Sequence, residues 1–275
     1  MSESEAITYE VRGRVTLITL NIPNKLNALD GKQYLQLAKY LQEADDEEDT
    51  VCTLLQSSGR YFSAGANFAD KALTKADPAV IFSHEYWLQN FAGRNVYLTD
   101  LCHNHKKVLV AALNGPVIGL SSAIVSFCDI VYAIDEDKVN LLAPFSNLGL
   151  VAEGATLATL FLRLGWSKSA EALLFAKPVS GHDLNRLGFF NKVYTGKNYS
   201  TEEFNKVVFE DLTGKFEGLY EPSIFASKQL LKANRDLLIN SASAREAIVG
   251  FNRWIEGIPQ GRFVEMASKE RKHKM

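Results

Sequence analysis

Glu153 stands between Ala152 and Gly154 in a mostly apolar stretch covering residues 143–156. A lone carboxylate in such surroundings has two readings. It can open the helix predicted to start near Thr156, where negative charge meets the positive helix end. It can instead be a base, its pKa lifted by poor solvation until it accepts protons near neutral pH. Three further segments hold more small and polar residues than core packing requires. In Arg60-Tyr61-Phe62-Ser63-Ala64-Gly65-Ala66-Asn67-Phe68 the small residues let backbone N–H groups approach a ligand closely. Asn114-Gly115-Pro116-Val117-Ile118-Gly119-Leu120-Ser121 reads as a strand, a turn and a helix start. Such a junction aims free N–H groups and a positive helix end at one point, which stabilises developing negative charge. Asn24-Lys25-Leu26-Asn27-Ala28-Leu29 leads into a helix. Taken singly, each of the three is also an ordinary turn or loop.

The elements that would position these segments follow from periodicity. Residues 7–21 predict two short strands around the turn Gly13-Arg14, since 15–20 is β-branched and apolar. Leu37, Leu41 and Ala44 recur at helical spacing within 30–44. Strands are expected at 51–56, 108–113, 130–134 and 139–142, and a helix at 119–127. A long, partly irregular helical pattern occupies 78–105. Beyond Gly154 the pattern is mostly helical, with segments at 156–164, 168–175, 201–216, 223–233 and 243–254. The alternation suggests stacked strand-strand-helix turns, although no repeat is visible in residue identity. A core over residues 1–200 followed by a helical region over 201–275 is the expected division.

Composition narrows the class. The chain has 275 residues, 47% of them apolar, and 30 basic against 32 acidic side chains give a formal net charge of −2, which argues against a nucleic-acid partner. Cys52, Cys102 and Cys128 have no paired spacing, so neither disulfides nor a thiolate metal site is expected, and no other metal site is expected either. No apolar run is long enough to span a bilayer.

Together, Asn-Lys-Leu-Asn-Ala-Leu at 24–29, Phe-Ser-Ala-Gly-Ala-Asn-Phe at 62–68, Asn-Gly-Pro-Val-Ile-Gly-Leu at 114–120 and Cys-Asp-Ile-Val-Tyr-Ala at 128–133 resemble the enoyl-CoA hydratase/isomerase (crotonase) superfamily. The resemblance implies an α/β fold, a spiral of ββα turns with a helical C-terminal trimerisation region, and hence a homo-oligomer, a trimer or a pair of trimers. It also implies an acyl-CoA substrate, with coenzyme A part of that substrate and no separate cofactor. Matching positions make the backbone amides of Ala66 and Leu120 the cradle for the thioester carbonyl. They assign substrate contacts to Lys25, Leu26, Ala28, Ala64, Gly65, Ala66, Asn67, Phe68 and Leu120. Asn67 departs from the family's usual Asp.

The resemblance also bears on the reaction. Hydratases of this family use two glutamates to handle water, and this chain has Ala123 and Phe145 at those positions. A 1,3 shift of a double bond needs one base, which takes a proton from C2 and returns it at C4. Leu-Gly-Leu-Val-Ala-Glu-Gly at 148–154 resembles the 3,2-enoyl-CoA isomerases of peroxisomal and yeast type, which makes Glu153 that base. Phe145, Leu150 and Val151 should keep its pocket dry and its pKa high. Phe91-Ala92-Gly93-Arg94-Asn95-Val96-Tyr97 resembles the same subgroup, and Asn95 is offered as a polar group supporting Glu153. A dienoyl-CoA isomerase and a silent acyl-CoA-binding subunit are the competing readings. His103 and His105 are expected to have structural or solvent-facing roles, and Asp70 is placed near the pocket entrance without a role. The final His273-Lys274-Met275 resembles a peroxisomal address of the Ser-Lys-Leu type, read by an import receptor, or else a solvated basic helix end.

Overall fold

A computed structural model describes residues 6–67, 79, 82–268, 270 and 271. Phe68, Asp70 and the His273-Lys274-Met275 tripeptide lie outside the described residues. The first two strands, β1 (Ile7–Arg12) and β2 (Val15–Leu20), form the expected antiparallel hairpin. β3 (Cys52–Ser57), β4 (Val108–Leu113), β6 (Ile130–Ala133) and β9 (Lys192–Val193) then extend β2 in parallel, in the order β1-β2-β3-β4-β6-β9. A parallel sheet needs cover on both faces, and nearly every residue of β2, β3 and β4 is accordingly buried.

A second, smaller sheet joins β5 (Val117–Ile118), β7 (Asn140–Leu142) and β8 (Val179–Ser180). Parallel bridges from Ser63 to Val117 and from Leu29 to Ala66 continue this layer into the two preceding loops. Each winding thus lays a strand in the large sheet, a short extended piece in the small one, and then a helix. This is the repeated strand-strand-helix turn expected from the sequence. It is invisible in residue identity because the short pieces are only one to three residues long.

The helices that close these windings are α1 (Gly31–Asp46), α2 (His84–Trp87) with α3 (Arg94–Asn104), α4 (Leu120–Phe127) and α5 (Thr156–Leu174). A π-helical stretch, Leu88–Gly93, separates α2 from α3 and accounts for the irregular pattern there. The two helical segments expected at 156–164 and 168–175 are continuous but for a break at Gly165, whose φ is 73°. α6 (Gly181–Arg186) precedes β9. The C-terminal region holds α7 (Thr201–Lys215), α8 (Glu221–Ala233), α9 (Asp236–Ile255) and α10 (Ile258–Ala267). α9 begins seven residues before the helix expected at 243, because its first two turns lack a regular apolar stripe.

His103 and His105 are structural, as expected. His105 Nε2 lies 2.8 Å from Thr53 Oγ1 and His103 Nε2 lies 2.9 Å from Asp236, both rings being buried. The three cysteines are free and buried. Among the described residues no helix is long and apolar enough to cross a membrane, and no cluster of side chains is suited to a metal ion.

Candidate active site

The motif at 24–29 is a clamp. Buried Asn27 accepts from the Ile22 N–H at 2.8 Å and donates to the carbonyls of Ser58 and Tyr61 at 2.8 and 2.9 Å. The Leu26 carbonyl accepts from the Ala64 N–H at 2.9 Å, and the Asn27 carbonyl accepts from Ser63 Oγ at 2.8 Å. The segment therefore fixes the loop at 62–67 from below. Lys25, Leu26, Ala28 and Gly65, expected as substrate contacts, are not among the cavity-lining residues.

That loop is joined to the start of α4. Ser121 Oγ donates to Ser63 Oγ at 2.8 Å, which in turn accepts from the Gly65 N–H at 3.1 Å. Gly65 has φ +80°, and a Cβ there would come within 2.6 Å of the Ile118 carbonyl oxygen, so only glycine lets the two segments meet. The neighbouring amides are engaged: Asn67 N–H donates to Leu29, Gly119 N–H to Leu142 and Ser122 N–H to Gly119. The N–H groups of Ala66 and Leu120 have no intramolecular acceptor among the described residues. Unpaired backbone donors at the wall of a cavity are ready to bind an oxygen that gains charge.

Both residues line a cavity of about 510 Å³, a size that suits a small-molecule ligand. Ala64 and Asn67 line it too, together with Phe145 and Leu150; Val151 does not. Its roof comes from the far end of the chain. Trp254 of α9 stacks on Trp87 at 3.9 Å and 16°, and on Phe263 of α10 at 5.4 Å and 19°, with Phe91 beside it. These aromatics were not legible as site residues, because in α9 and α10 they look like ordinary core positions of an amphipathic helix.

Glu153 opens onto this cavity. Asn95 Nδ2 donates to Glu153 Oε2 at 2.8 Å, which is the supporting contact anticipated for Asn95. The π-helical stretch just before Arg94 turns the start of α3 towards the cavity, a frequent use of such insertions. Arg94 also lines the cavity, donates to Asn95 Oδ1 at 3.2 Å and lies 5.3 Å from the Tyr34 ring centroid. Burial pushes the Glu153 pKa up to about 7, against the opposing pull of the Arg94 charge and the Asn95 hydrogen bond. The other carboxylate among the described lining residues, Asp30, caps α1 by accepting from the Gln33 N–H at 2.9 Å. Ala123 is buried at the hydratase position, and a Cβ on neighbouring Gly154 would come within 2.9 Å of it.

The raised pKa carries a stability consequence. The folded value lies above the ordinary carboxylate value of 4.5, so the fold favours the protonated acid. The associated stability is complete below about pH 4.5 and is lost as pH rises through about 7. Glu153→Gln is thus expected to unfold at a higher temperature than wild type at pH 8, by about 3 kcal/mol of stability, while the gap closes at pH 4 to 5. Thermal melts of both proteins across that range check this.

Comparison with known proteins shows the family and the fold. The Enoyl-CoA hydratase/isomerase family model matches residues 10–207. The 3,2-trans-enoyl-CoA isomerase of Saccharomyces cerevisiae is 42% identical, over 99% of this chain and 98% of its own length. The Delta(3,5)-Delta(2,4)-dienoyl-CoA isomerase of Pyricularia oryzae is 39% identical, over 99% and 100%. A crystal structure of an enoyl-CoA hydratase/isomerase from Mycobacterium paratuberculosis superposes with a TM-score of 0.81 at 22% identity, covering 96% of this chain and all of that one.

Proposed function

The chain belongs to the enoyl-CoA hydratase/isomerase family and is an isomerase within it; on that premise we propose that it converts 3-enoyl-CoA, cis or trans, to trans-2-enoyl-CoA, with Glu153 as its single proton carrier. The observation that carries this reading is the pairing of a cavity-facing carboxylate that is held by Asn95 and serves no helix cap, Glu153, with apolar Ala123 and Phe145 where water-handling acids would stand.

The thioester carbonyl sits between the N–H groups of Ala66 and Leu120. Ionised Glu153 removes a proton from C2, and the electron pair moves onto the carbonyl oxygen, where the two amides hold the enolate. Reprotonation at C4 by the same carboxyl shifts the double bond from C3–C4 to C2–C3 and regenerates the base. A pKa of about 7 suits both halves, because the group must accept and return a proton at similar cost. The aromatic roof keeps water from the enolate. Purified protein supplied with 3-enoyl-CoA should form 2-enoyl-CoA without hydrating it. Binding of the thioester without turnover would instead point to a silent acyl-CoA-binding subunit.

A dienoyl-CoA isomerase is the second reading, favoured by the relatives that bear that name at 39% and 36% identity. A 1,5 shift calls for a second acid, and Asp30, the one other carboxylate among the described lining residues, is committed to its helix cap. Turnover of 3,5-dienoyl-CoA exceeding that of 3-enoyl-CoA would reverse the assignment.

Asn95 holds the carboxylate and favours its ionised form. Asn95→Ala is expected to lower kcat about tenfold and to move the acid limb of kcat/KM upwards in pH, since the charged base loses a donor. A limb that stays in place or moves down would contradict that role.

We also propose a place in fatty acid β-oxidation in the peroxisome, addressed by His273-Lys274-Met275, and a trimer or a pair of trimers. Support for assembly comes from apolar side chains left bare on α5, α8 and α9, among them Trp166, Leu230, Leu231 and Leu237. Light scattering reads the assembly. A tagged protein lacking the last three residues should lose import.

A further inference from the structure

Glu246, on α9, is 2% exposed, yet it is absent from the cavity wall and has no part in the proton shuttle. Its Oε1 accepts from the Leu157 N–H at 2.9 Å, in the first turn of α5, while Oε2 has no partner among the described residues. The N-terminus of α5 has no cap of its own, because the capping position is Ala155 and its side chain offers no acceptor. The turn that enters α5 begins at Glu153. Gly154 and Ala155 are both left-handed, with φ of 71° and 56°, and the Glu153 carbonyl accepts from the Thr156 N–H and hydroxyl. For alanine this conformation costs about 1 kcal/mol or more, and it persists only where surrounding contacts impose it. Leu157 is the second residue of the helix, and anchoring it anchors the turn.

We infer that Glu246 is a positioning residue for the isomerase site: by capping α5 from the C-terminal helix, its Oε1 fixes the Gly154-Ala155 turn that aims Glu153 into the cavity. The inference rests on the single-glutamate reading above. Burial raises the Glu246 pKa to about 7, and the nearby Glu153 charge adds to the rise. The cap needs only the one oxygen, which a glutamine also provides.

Two variants separate aiming from folding. Glu246→Gln keeps an oxygen for Leu157, and Glu246→Met fills a similar volume with no acceptor. Methionine removes a buried carboxyl with an unpartnered oxygen but leaves the Leu157 N–H without its acceptor, so the two effects oppose and its melting temperature should stay within a few degrees of wild type. Its kcat for 3-enoyl-CoA should nonetheless fall about 10²-fold, the cost of a misplacement of around an ångström, with KM within about twofold. Glu246→Gln should return kcat to within about threefold of wild type. Wild-type kcat in Glu246→Met, or an equal loss in both variants, overturns the inference. So does a Glu246→Met loss that only follows its melting temperature or appears in KM. Glu153→Gln, run alongside, tells the two levels apart: if it turns over like wild type the glutamate mechanism itself fails, and if it is inactive a fully active Glu246→Met refutes only the positioning role.

Discussion

Glu153→Gln is expected to lower kcat for 3-enoyl-CoA isomerisation by about three orders of magnitude while leaving KM within a few-fold, because the amide keeps the volume and the Asn95 contact but takes up no proton. The loss should be this large because no neighbour can substitute. Ala123 and Phe145 are apolar, Asp30 is bound to its helix cap, and Tyr34 is a buried phenol pushed far up from its ordinary pKa by desolvation. In wild type, kcat/KM should climb with pH through about 7, as the carboxyl ionises, and this limb should vanish in the variant. Steady-state assays from pH 5 to 9 read both effects. Retained turnover, or an acid limb near 4.5, would remove Glu153 from the reaction. The same substitution is expected to stabilise the fold at pH 8, so activity and stability should move in opposite directions.

Much of this site is legible in the sequence. Backbone hydrogen bonding and sterics leave few ways to bring two N–H groups to one point, and Gly65 and the glycines of the Asn114 segment mark where that happens. The parallel strands showed as a continuous apolar run in β4 and as apolar residues broken by threonine in β2 and by threonine, glutamine and serine in β3. What stayed hidden depends on tertiary contact between distant segments. Trp254 and Phe263 reach the cavity only because α9 and α10 fold back over α2, and nothing in their local spacing separates a roof from a core position. Glu246 reads in sequence as one more charge on a helix; its burial against the start of α5 is set by packing across 89 residues of chain. The Ser63–Ser121 link was equally silent, since serine is ordinary in both loops and helix starts. The motif at 24–29 was noticed correctly, but its best-placed residue, Asn27, binds the loop under the cradle and not the cavity.

The carbonyl cradle can be tested on a backbone atom, because Leu120 occupies the first position of α4. Proline is well tolerated at the first helical position, where the N–H has no helical partner, and the Leu120 N–H has no intramolecular acceptor to lose. The preceding residue is Gly119, at φ 65° and ψ −134°, which has no side chain to clash with a proline ring. Leu120→Pro therefore deletes one proposed enolate donor with the chain path kept. It also deletes a buried leucine side chain, which costs about 2–4 kcal/mol of stability in any such site. Leu120→Ala is the matched control, since it loses the same packing and keeps the N–H. Relative to that control, Leu120→Pro is expected to lower kcat by about 10²–10³-fold with little further change in KM, because the donor gains most of its strength only when the oxygen becomes an enolate. The two variants should melt within a few degrees of each other. Equal kcat in both, at equal fold content, would mean that the Leu120 amide does not carry the developing charge and that the donors lie elsewhere along the wall.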